Sequence, residues 1–351
     1  MAAAVCTLLL ASATVPCVYY AVLFALGRCR RQPPAAREPL CLTVLIPAHD
    51  EAGLLPRTLR SLADADYPRS HLRVLVVADN CTYATAQVAR LHGADCLVRT
   101  DPAHRGKGYA LAFGLPHATA GSDAVVVLDA DCTVNRDFLR RMSDHLRTAD
   151  AVQAAYISRP AGRSPAGYVA AVGCAIDNAV SAGADRLGLR VPLRGTGMGF
   201  RRGLLDRLPW GAFGPTEDAE HSAALARGGV RVRFVPDAHV YCDPPADGAA
   251  FAVQRRRWSA AVRVHPLGLL GSKPLVLAHL LLVALAVFLL CPSPWPLGWL
   301  LALLAVTAGV YAAAALPFGR PTVTVVGVVG RLLLLALFGG RSGRWDRTPR
   351  E

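Results

Sequence analysis

The uneven distribution of apolar residues constrains the fold of this chain more than any other feature of its sequence. Residues 3–27 carry no charged side chain, and a helix of that length can cross a hydrocarbon core of about 30 Å. Residues 275–290 and 296–316 are also long and apolar enough for one crossing each. A third stretch, 322–338, is interrupted by Arg331 and is either a span or an interfacial segment. We therefore expect a soluble domain held between membrane segments.

The positive charges predict which side of the membrane this domain occupies. Arg28, Arg30 and Arg31 follow the first apolar stretch, whereas a secretory signal carries its positive charge ahead of the apolar run. We interpret the stretch as an uncleaved anchor with the following domain in the cytosol. The predicted division is an anchor at 1–31, a proline-containing linker at 32–41, a soluble domain at 42–265, a membrane region of two or three helices at 266–340 and a basic tail at 341–351.

The composition argues against two other classes of protein. The formal net charge is +13, but the sequence has no basic and aromatic stripe and no nucleic-acid-binding motif, so a membrane surface and an anionic substrate explain the arginines better than nucleic acid does. The ten cysteines are widely spaced and show no zinc-ligand pattern. We expect them to be reduced cytosolic thiols.

The soluble domain has the pattern of an α/β fold. Short apolar runs at 42–46, 74–77 and 124–128 are typical of buried parallel strands, and the segments 54–62 and 85–91 between them have helical spacing. Each of the three strands ends at a polar cluster. In an open α/β sheet, ligands bind beyond the carboxyl ends of the strands, so these clusters should meet at one edge.

The cluster after the third strand predicts a metal site. Asp129 and Asp131 are separated by one residue, and two carboxylates at a strand end can face one hard divalent cation, which would neutralise diphosphate oxygens. The same spacing at Asp64 and Asp66 is interpreted as a surface turn. The two pairs of aspartates are interpreted differently because only Asp129 and Asp131 follow one of three successive strands that each end at a polar cluster.

The clusters after the first two strands suit a nucleotide. Residues 47–51 read PAHDE, and Asp79 can accept hydrogen bonds from a nucleobase or ribose, although the GxGxxG motif is absent. Helix capping by Asp50 and Asn80 is a compatible alternative.

Two later motifs contain further candidate residues. Lys107, one of two lysines in the chain, lies in the glycine loop RGKG, which suits a diphosphate but is also typical of a solvated turn. Glu217 and Asp218 precede a helix, where carboxylates commonly act as caps, but one of them could be a general base that accepts a proton from an attacking hydroxyl.

The segment QRRRW, residues 254–258, is predicted to be an amphipathic helix. Gln254, Arg257 and Trp258 share one face and could bind phosphate oxygens or a sugar, whereas Arg255 and Arg256 are more typical of lipid headgroup contacts.

Taken in order, these motifs identify a resemblance. Residues 42–265 resemble the family 2 glycosyltransferases of GT-A fold, especially the branch of cellulose, chitin-oligosaccharide and hyaluronan synthases. The motifs that carry the resemblance are PAHDE, ADN, RGKG, DAD, GTGMGF, TED and QRRRW.

The resemblance implies a role for each motif. It implies a GT-A nucleotide-diphospho-sugar transferase domain with flanking transmembrane helices. The donor site would comprise Pro47, His49, Glu51, Asp79, Lys107 and Asp129. The metal ligands would be Asp129 and Asp131, and the catalytic base would be Asp218. The acceptor or diphosphate-gating residues would be Glu217, Gln254, Arg257 and Trp258, with residues 195–199 as a loop at the acceptor end.

The predicted function is a membrane-bound inverting glycosyltransferase. It would move a sugar from a nucleotide-sugar donor, with a UDP-sugar favoured, to a hydroxyl of a glycan, lipid or small molecule, with Mg2+ or Mn2+ as cofactor. The expected partners include the lipid bilayer but no nucleic acid. The sequence allows an oligomer but does not predict one. The expected location is the cell (plasma) membrane, multi-pass, with a cytosolic catalytic domain. The alternatives are a polyprenyl-phosphate sugar transferase and a catalytically inactive sugar-nucleotide-binding scaffold.

Overall fold

The chain divides into two compact units, which are described separately below. The computed structural model describes residues 2–29, 38–81, 83–159, 165–243, 279–286 and 294–319. Residues 38–159 and 187–243 belong to an α/β unit, apart from the undescribed Thr82. Residues 2–29, 165–186 and the described part of the chain after 243 belong to a helical unit.

The α/β unit is built on one mixed sheet. Its strands are β1 (Leu42–Ala48), β2 (Leu72–Asp79), β3 (Asp95–Arg99), β4 (Ala124–Val127), β5 (Cys132–Val134), β6 (Ala151–Ser158), β7 (Met198–Arg201) and β8 (Val232–Cys242). The spatial order is β3-β2-β1-β4-β7-β6-β8-β5. The pairs β2/β3, β1/β2, β1/β4 and β6/β8 are parallel, and the pairs β4/β7, β6/β7 and β5/β8 are antiparallel.

Helices cover this sheet. They are α2 (Leu55–Ala63), α3 (Tyr83–Leu91), α4 (Lys107–Thr119), α5 (Phe138–Leu146), α7 (Arg202–Arg207) and α8 (Glu217–Arg227). Every residue of β1 and β4 is buried, which explains why these strands read as continuous apolar runs. The α2 helix buries Leu55, Leu59 and Leu62 on one face, as its helical spacing predicted. The predicted positions of these first strands and helices are therefore confirmed.

The helical unit contains α1 (Ala2–Arg28), α6 (Pro165–Arg186), α9 (279–286) and α10 (Pro294–Ala315). Two glycines let α1 and α6 approach closely: a Cβ at Gly27 would overlap the backbone of Ala179, and one at Gly183 would overlap the backbone of Leu23. Leu10 and Cys17 of α1 pack with Leu280 of α9 and with α10 in one apolar cluster.

The α6 helix belongs to a different unit from the one that the sequence-based division of the chain gives it. Residues 42–265 were predicted as one soluble domain, whereas α6 clusters with the terminal helices. The reason is its small-residue surface, on which Val172 and Ile176 of α6 pack with Phe24 of α1 and Ala314 of α10.

Among the described helices, Ala4–Arg28 and Pro296–Phe318 are long and apolar enough to cross a membrane by length and composition. The stretch 322–338 lies outside the described residues.

The expectation that all cysteines are reduced is wrong for one pair. Cys132 of β5 and Cys242 of β8 face each other in the antiparallel ladder and form a disulfide, with their Cα atoms 4.7 Å apart. Residues so far apart in sequence give no spacing signal. Only the topology of the sheet reveals that the two cysteines are neighbours.

Candidate active site

Three of the predicted polar clusters meet at one edge of the sheet. The strands β1, β2 and β4 are parallel neighbours, so their carboxyl ends lie side by side. His49 and Glu51 follow β1, Asp79 ends β2, and Asp129 follows β4 after Leu128. Pro47 lies within β1 opposite Val77 of β2. The topology therefore places these candidate residues along a single edge.

The ends of β1 and β2 are joined by side chains. His49 Nδ1 forms a hydrogen bond of 2.8 Å with the carbonyl oxygen of Asp79. The Cys81 thiol lies between the two loops, where it donates to the carbonyl oxygen of Ala48 at 3.1 Å and accepts from the amide of Asp50 at 3.3 Å. Burial raises the pKa of this thiol, which keeps it protonated and able to donate. Sequence reasoning missed Cys81 because a single cysteine has no distinguishing pattern.

The backbone of these loops has an uncommon conformation. Asp50 and Asn80 have φ of +52° and +50°, in the left-handed region that few residues except glycine adopt readily. The cap position of α2 is Leu54 rather than Asp50, and Asn80 Oδ1 accepts from the amide of Asp101 at 2.8 Å. Asp50 and Asn80 therefore shape the loops of the site.

Asp79 has a cationic partner that the sequence did not indicate. Nη1 of Arg99, the last residue of β3, lies 2.5 Å from Asp79 Oδ1, and the two side chains are only 10% and 7% exposed. Arg99 Nη2 also contacts Asp101 at 2.9 Å. Arg99 thereby fixes the orientation of one carboxylate oxygen of Asp79. The β3 strand contains no recognised motif, so sequence reasoning passed over it.

Lys107 links four of the sequence motifs. Its Nζ donates to Asp129 Oδ1 and to the carbonyl oxygen of Gly195, both at 2.6 Å, and lies 3.7 Å from Glu217 Oε1. Although burial opposes the ammonium charge, the carboxylates of Asp129 and Glu217 raise the pKa of Lys107 above its ordinary value. The basic loop is therefore part of the acidic site.

The segment 195–199 only partly fits its prediction as a loop. Gly195 has φ of +77°, which turns its carbonyl oxygen towards Lys107 and favours glycine at this position. Met198 and Gly199, however, belong to β7 and pair with β4. The loop is therefore limited to residues 195–197.

Glu217 and Asp218 occupy the first turn of α8, where Glu217 is buried and Asp218 is half-buried. Burial raises the pKa of Glu217 to about 7, with Lys107 opposing the shift, and burial likewise raises the pKa of Asp218. The side chain of the cap residue, Thr216, makes no capping hydrogen bond, whereas Asp218 Oδ1 accepts from the amide of Ala219 at 2.8 Å. Two carboxylates with raised pKa values therefore lie beside a lysine, and Glu217, with its pKa of about 7, is able to exchange a proton near neutral pH.

The carboxylates after β4 fit a divalent cation. Asp129 and Asp131 each offer a carboxylate oxygen, and these two atoms and the disulfide-bonded Sγ of Cys132 all lie within 4.8 Å of one another. Aspartate oxygens are ligands that Mg2+ and Mn2+ accept. The donor set of Asp129 and Asp131 therefore suits the predicted cofactor.

An aromatic loop holds α4 and α8 to each other, and sequence reasoning missed it. The ring of Phe213 stacks on Tyr109 of α4 at 4.6 Å, and Trp210 stacks on His221 of α8 at 4.2 Å. A Cβ at Gly108 would overlap the carbonyl oxygen of Ala212, so the second glycine of the basic loop allows this close approach. Gln254, Arg257 and Trp258 lie outside the described residues.

Comparison with known proteins identifies the family. The model of glycosyltransferase like family 2 matches residues 39–261, more than half of the 351-residue chain. The chain is 25% identical over 229 residues to a Bacillus subtilis (strain 168) protein named "Probable glycosyltransferase YdaM". The match covers 62% of this chain and 54% of that relative, so it spans about half the relative's length.

The fold is shared with a solved structure. The mannosyltransferase PcManGT from Pyrobaculum calidifontis, solved with GDP-Man and Mn2+, has a TM-score of 0.60 and 23% identity, with 96% of this chain and 99% of that chain covered. TarS 1-349 from S. aureus, in complex with UDP, has a TM-score of 0.43 and 17% identity over 67% of this chain and 69% of that chain. The likeness to PcManGT shows that the α/β unit is GT-A-like. The chain belongs to glycosyltransferase like family 2.

Proposed function

We propose that this protein is a membrane-bound inverting glycosyltransferase that moves a sugar from a nucleoside-diphosphate sugar to a hydroxyl group. The observation that carries the proposal is the convergence of Lys107, Asp129, Glu217 and Asp218. Grouping a lysine with three carboxylates away from water adds little to the stability of the fold, because the cost of desolvating the charges offsets their attraction. The cluster therefore indicates a functional role.

Asp218 is the general base in this account. The acceptor oxygen forms a bond to the anomeric carbon while the bond from that carbon to the diphosphate oxygen breaks. The hydroxyl proton passes to the Asp218 carboxylate, and the nucleoside diphosphate leaves with the bonding electrons. The raised pKa of Asp218 supports the role, because a base whose pKa lies closer to neutrality accepts a proton more readily. Glu217 assists by holding Lys107 and by facing the acceptor.

The donor lies along the sheet edge. Pro47, His49, Glu51 and Asp79 bind the nucleoside, and Asp79 offers a carboxylate oriented by Arg99. Lys107 and Asp129 lie nearer the diphosphate. A Mg2+ or Mn2+ ion held by Asp129 and Asp131 would offset the negative charge of the leaving diphosphate. A UDP-sugar is the proposed donor, and GDP-sugars enter the test because the PcManGT structure holds GDP-Man and Mn2+.

Membrane attachment is proposed from the helical unit. Leu8 and Val15 of α1 and Leu301 of α10 are among the exposed large apolar side chains of the described helices. An apolar surface of this kind is unfavourable in water, whereas contact with lipid tails would bury it. The arginines that end and follow α1 support the proposal of a cytosolic catalytic domain in a multi-pass protein. Gln254, Arg257 and Trp258 are proposed to contact the acceptor or gate the diphosphate, and a glycan, lipid or small-molecule hydroxyl is the acceptor.

The test is a nucleotide-release screen of the full chain purified from membranes. UDP- and GDP-sugars are offered with Mn2+ or Mg2+ and a panel of hydroxyl acceptors, and released nucleoside diphosphate is measured. We expect release from at least one UDP-sugar, loss of release on chelation, and loss of release in Asp131→Asn. Binding of a nucleotide sugar without release, with every acceptor, would overturn the proposal in favour of an inactive scaffold. Transfer only to polyprenyl phosphate would favour the other alternative.

A further inference from the structure

The residue that follows the predicted metal ligands has two neighbours of different chemistry. Cys132 begins β5 directly after Asp131, and across the ladder it is bonded to Cys242 of β8. On its other side, the Cys132 Sγ atom lies 3.3 Å from Asp131 Oδ1. One sulfur atom therefore belongs both to a disulfide and to the surroundings of the carboxylate site.

The oxidation state of this sulfur decides what it can do for the carboxylates. A disulfide sulfur carries no proton and no negative charge, so it neither donates a hydrogen bond to Asp131 nor binds a cation as a thiolate does. A reduced Cys132 could do either. Its Sγ and the Asp129 and Asp131 oxygens all lie within 4.8 Å of one another, close enough for one ion to contact all three.

We infer that Cys132 is a redox-controlled third ligand of the metal site formed by Asp129 and Asp131. The inference rests on the proposed metal site and adds a ligand to it. With the disulfide intact, the site offers two hard carboxylates, which suit Mg2+ and Mn2+. With the disulfide reduced, it offers two carboxylates and a soft thiolate, a set that favours thiophilic ions such as Zn2+ and Cd2+.

The redox step needs only a thiol. Two molecules of a low-molecular-weight thiol such as glutathione convert the Cys132–Cys242 disulfide into two thiols and themselves become one disulfide, with two electrons transferred. Both cysteines are buried, so the exchange requires local opening. The position of β5 favours such opening, because this three-residue strand is at the edge of the described sheet and pairs there with β8.

The experiment measures Cd2+ and Mn2+ binding to the full chain in detergent, without donor. Wild type is purified under non-reducing conditions and compared with dithiothreitol-treated wild type, with Cys242→Ser, which leaves Cys132 as a thiol, and with Cys132→Ser. Cys96→Ser is the matched control, since Cys96 lies in β3 at the opposite edge of the sheet. Alkylation followed by peptide mass spectrometry reports which thiols are free in each sample.

We expect Cys242→Ser and reduced wild type to show the ultraviolet charge-transfer band of a cadmium thiolate and to bind Cd2+ about tenfold or more tightly than oxidised wild type. Cys132→Ser should lack this increase, Cys96→Ser should behave as wild type, and Mn2+ affinity should change little across the set. Equal Cd2+ affinity in Cys242→Ser and Cys132→Ser would overturn the inference, as would Cys132 and Cys242 being alkylated in unreduced wild type.

A further variant separates this inference from the metal site itself. Asp131→Asn in the Cys242→Ser background should weaken both Cd2+ and Mn2+ binding. Suppose that Mn2+ binds wild type, that its binding is lost in Asp131→Asn, and that Cd2+ gives no thiolate band in Cys242→Ser. Only the assignment of Cys132 as a ligand would then be wrong. If Mn2+ binding does not depend on Asp131, the proposed metal site fails as well.

Discussion

The ammonium nitrogen of Lys107 lies 2.6 Å from Oδ1 of Asp129. This ion pair connects the start of α4 with the end of β4, and only 15% of the lysine side chain is exposed. An arginine has a larger, planar cationic group that would not fit between Asp129 and Gly195 in the same way. The contact explains why a lysine is present here in a chain whose other basic residues are almost all arginine.

Replacing this lysine should affect both stability and activity. In Lys107→Met the buried carboxylate of Glu217 and the half-buried carboxylate of Asp129 lose their counter-charge, so we expect the free energy of unfolding to fall by about 3 kcal/mol and nucleotide release to be abolished. Lys107→Arg should recover little of either. Arg202→Met is the control, because its 3.7 Å pair with Asp206 is exposed and should contribute under about 0.5 kcal/mol. Denaturant unfolding at neutral pH measures both, and equal effects of Lys107→Met and Arg202→Met would contradict this account.

The role of Asp218 is separable from donor binding. Asp218→Asn removes the proton acceptor and keeps the side-chain volume, so turnover should fall by about 10²-fold or more while nucleotide affinity is retained. Asp206→Asn on α7 is the exposed control and should leave both unchanged. Single-turnover kinetics and calorimetric titration with the nucleoside diphosphate make the comparison. A collapse of nucleotide affinity in Asp218→Asn would make Asp218 a binding residue.

Cys81 should matter for donor binding through the loops that it joins. In Cys81→Ala the carbonyl oxygen of Ala48 and the amide of Asp50 lose their shared partner, so the loop after β1 should loosen. We expect KM for the donor to rise by about fivefold or more, with little change in kcat. Cys81→Ser, which keeps a donor and an acceptor, should restore KM. If the serine variant were as impaired as the alanine variant, the hydrogen bonds would not be the cause.

The buried His221 should make the folded protein sensitive to acid. Burial lowers its pKa to about 4, and its Nε2 atom has no hydrogen-bond partner among the described residues. Because the folded-state pKa lies below the ordinary value of about 6.5, the contribution to stability is present above pH 6.5 and is lost as the pH falls towards 4. Over that range wild type should lose on the order of 3 kcal/mol more than His221→Phe. If the free energies of unfolding of the two proteins fell in parallel between pH 6.5 and pH 4, this prediction would be contradicted.

The sequence predicted the parts of the site that local patterns encode. Continuous apolar runs marked β1 and β4, and acidic clusters marked their ends, since burial and strand-end chemistry leave a local signal. Arg99 and Trp210 were missed because their roles depend on which elements become neighbours. The Cys132–Cys242 pair was predicted wrongly, and the α6 helix was not predicted, for the same reason. These features arise from topology, which a single sequence specifies only through the whole fold.

The configuration of the product reveals whether the reaction is a direct displacement with Asp218 as the base. Once the release screen has identified a donor, the anomeric configuration of the new linkage in the first glycoside formed by the full chain is determined by proton NMR. A single displacement places the acceptor oxygen on the face opposite the departing diphosphate, so the account predicts that an α-linked donor gives a β-linked product. An α-linked product would require two displacements or attack on the same face, and it would contradict the assignment of Asp218 as the base of an inverting reaction.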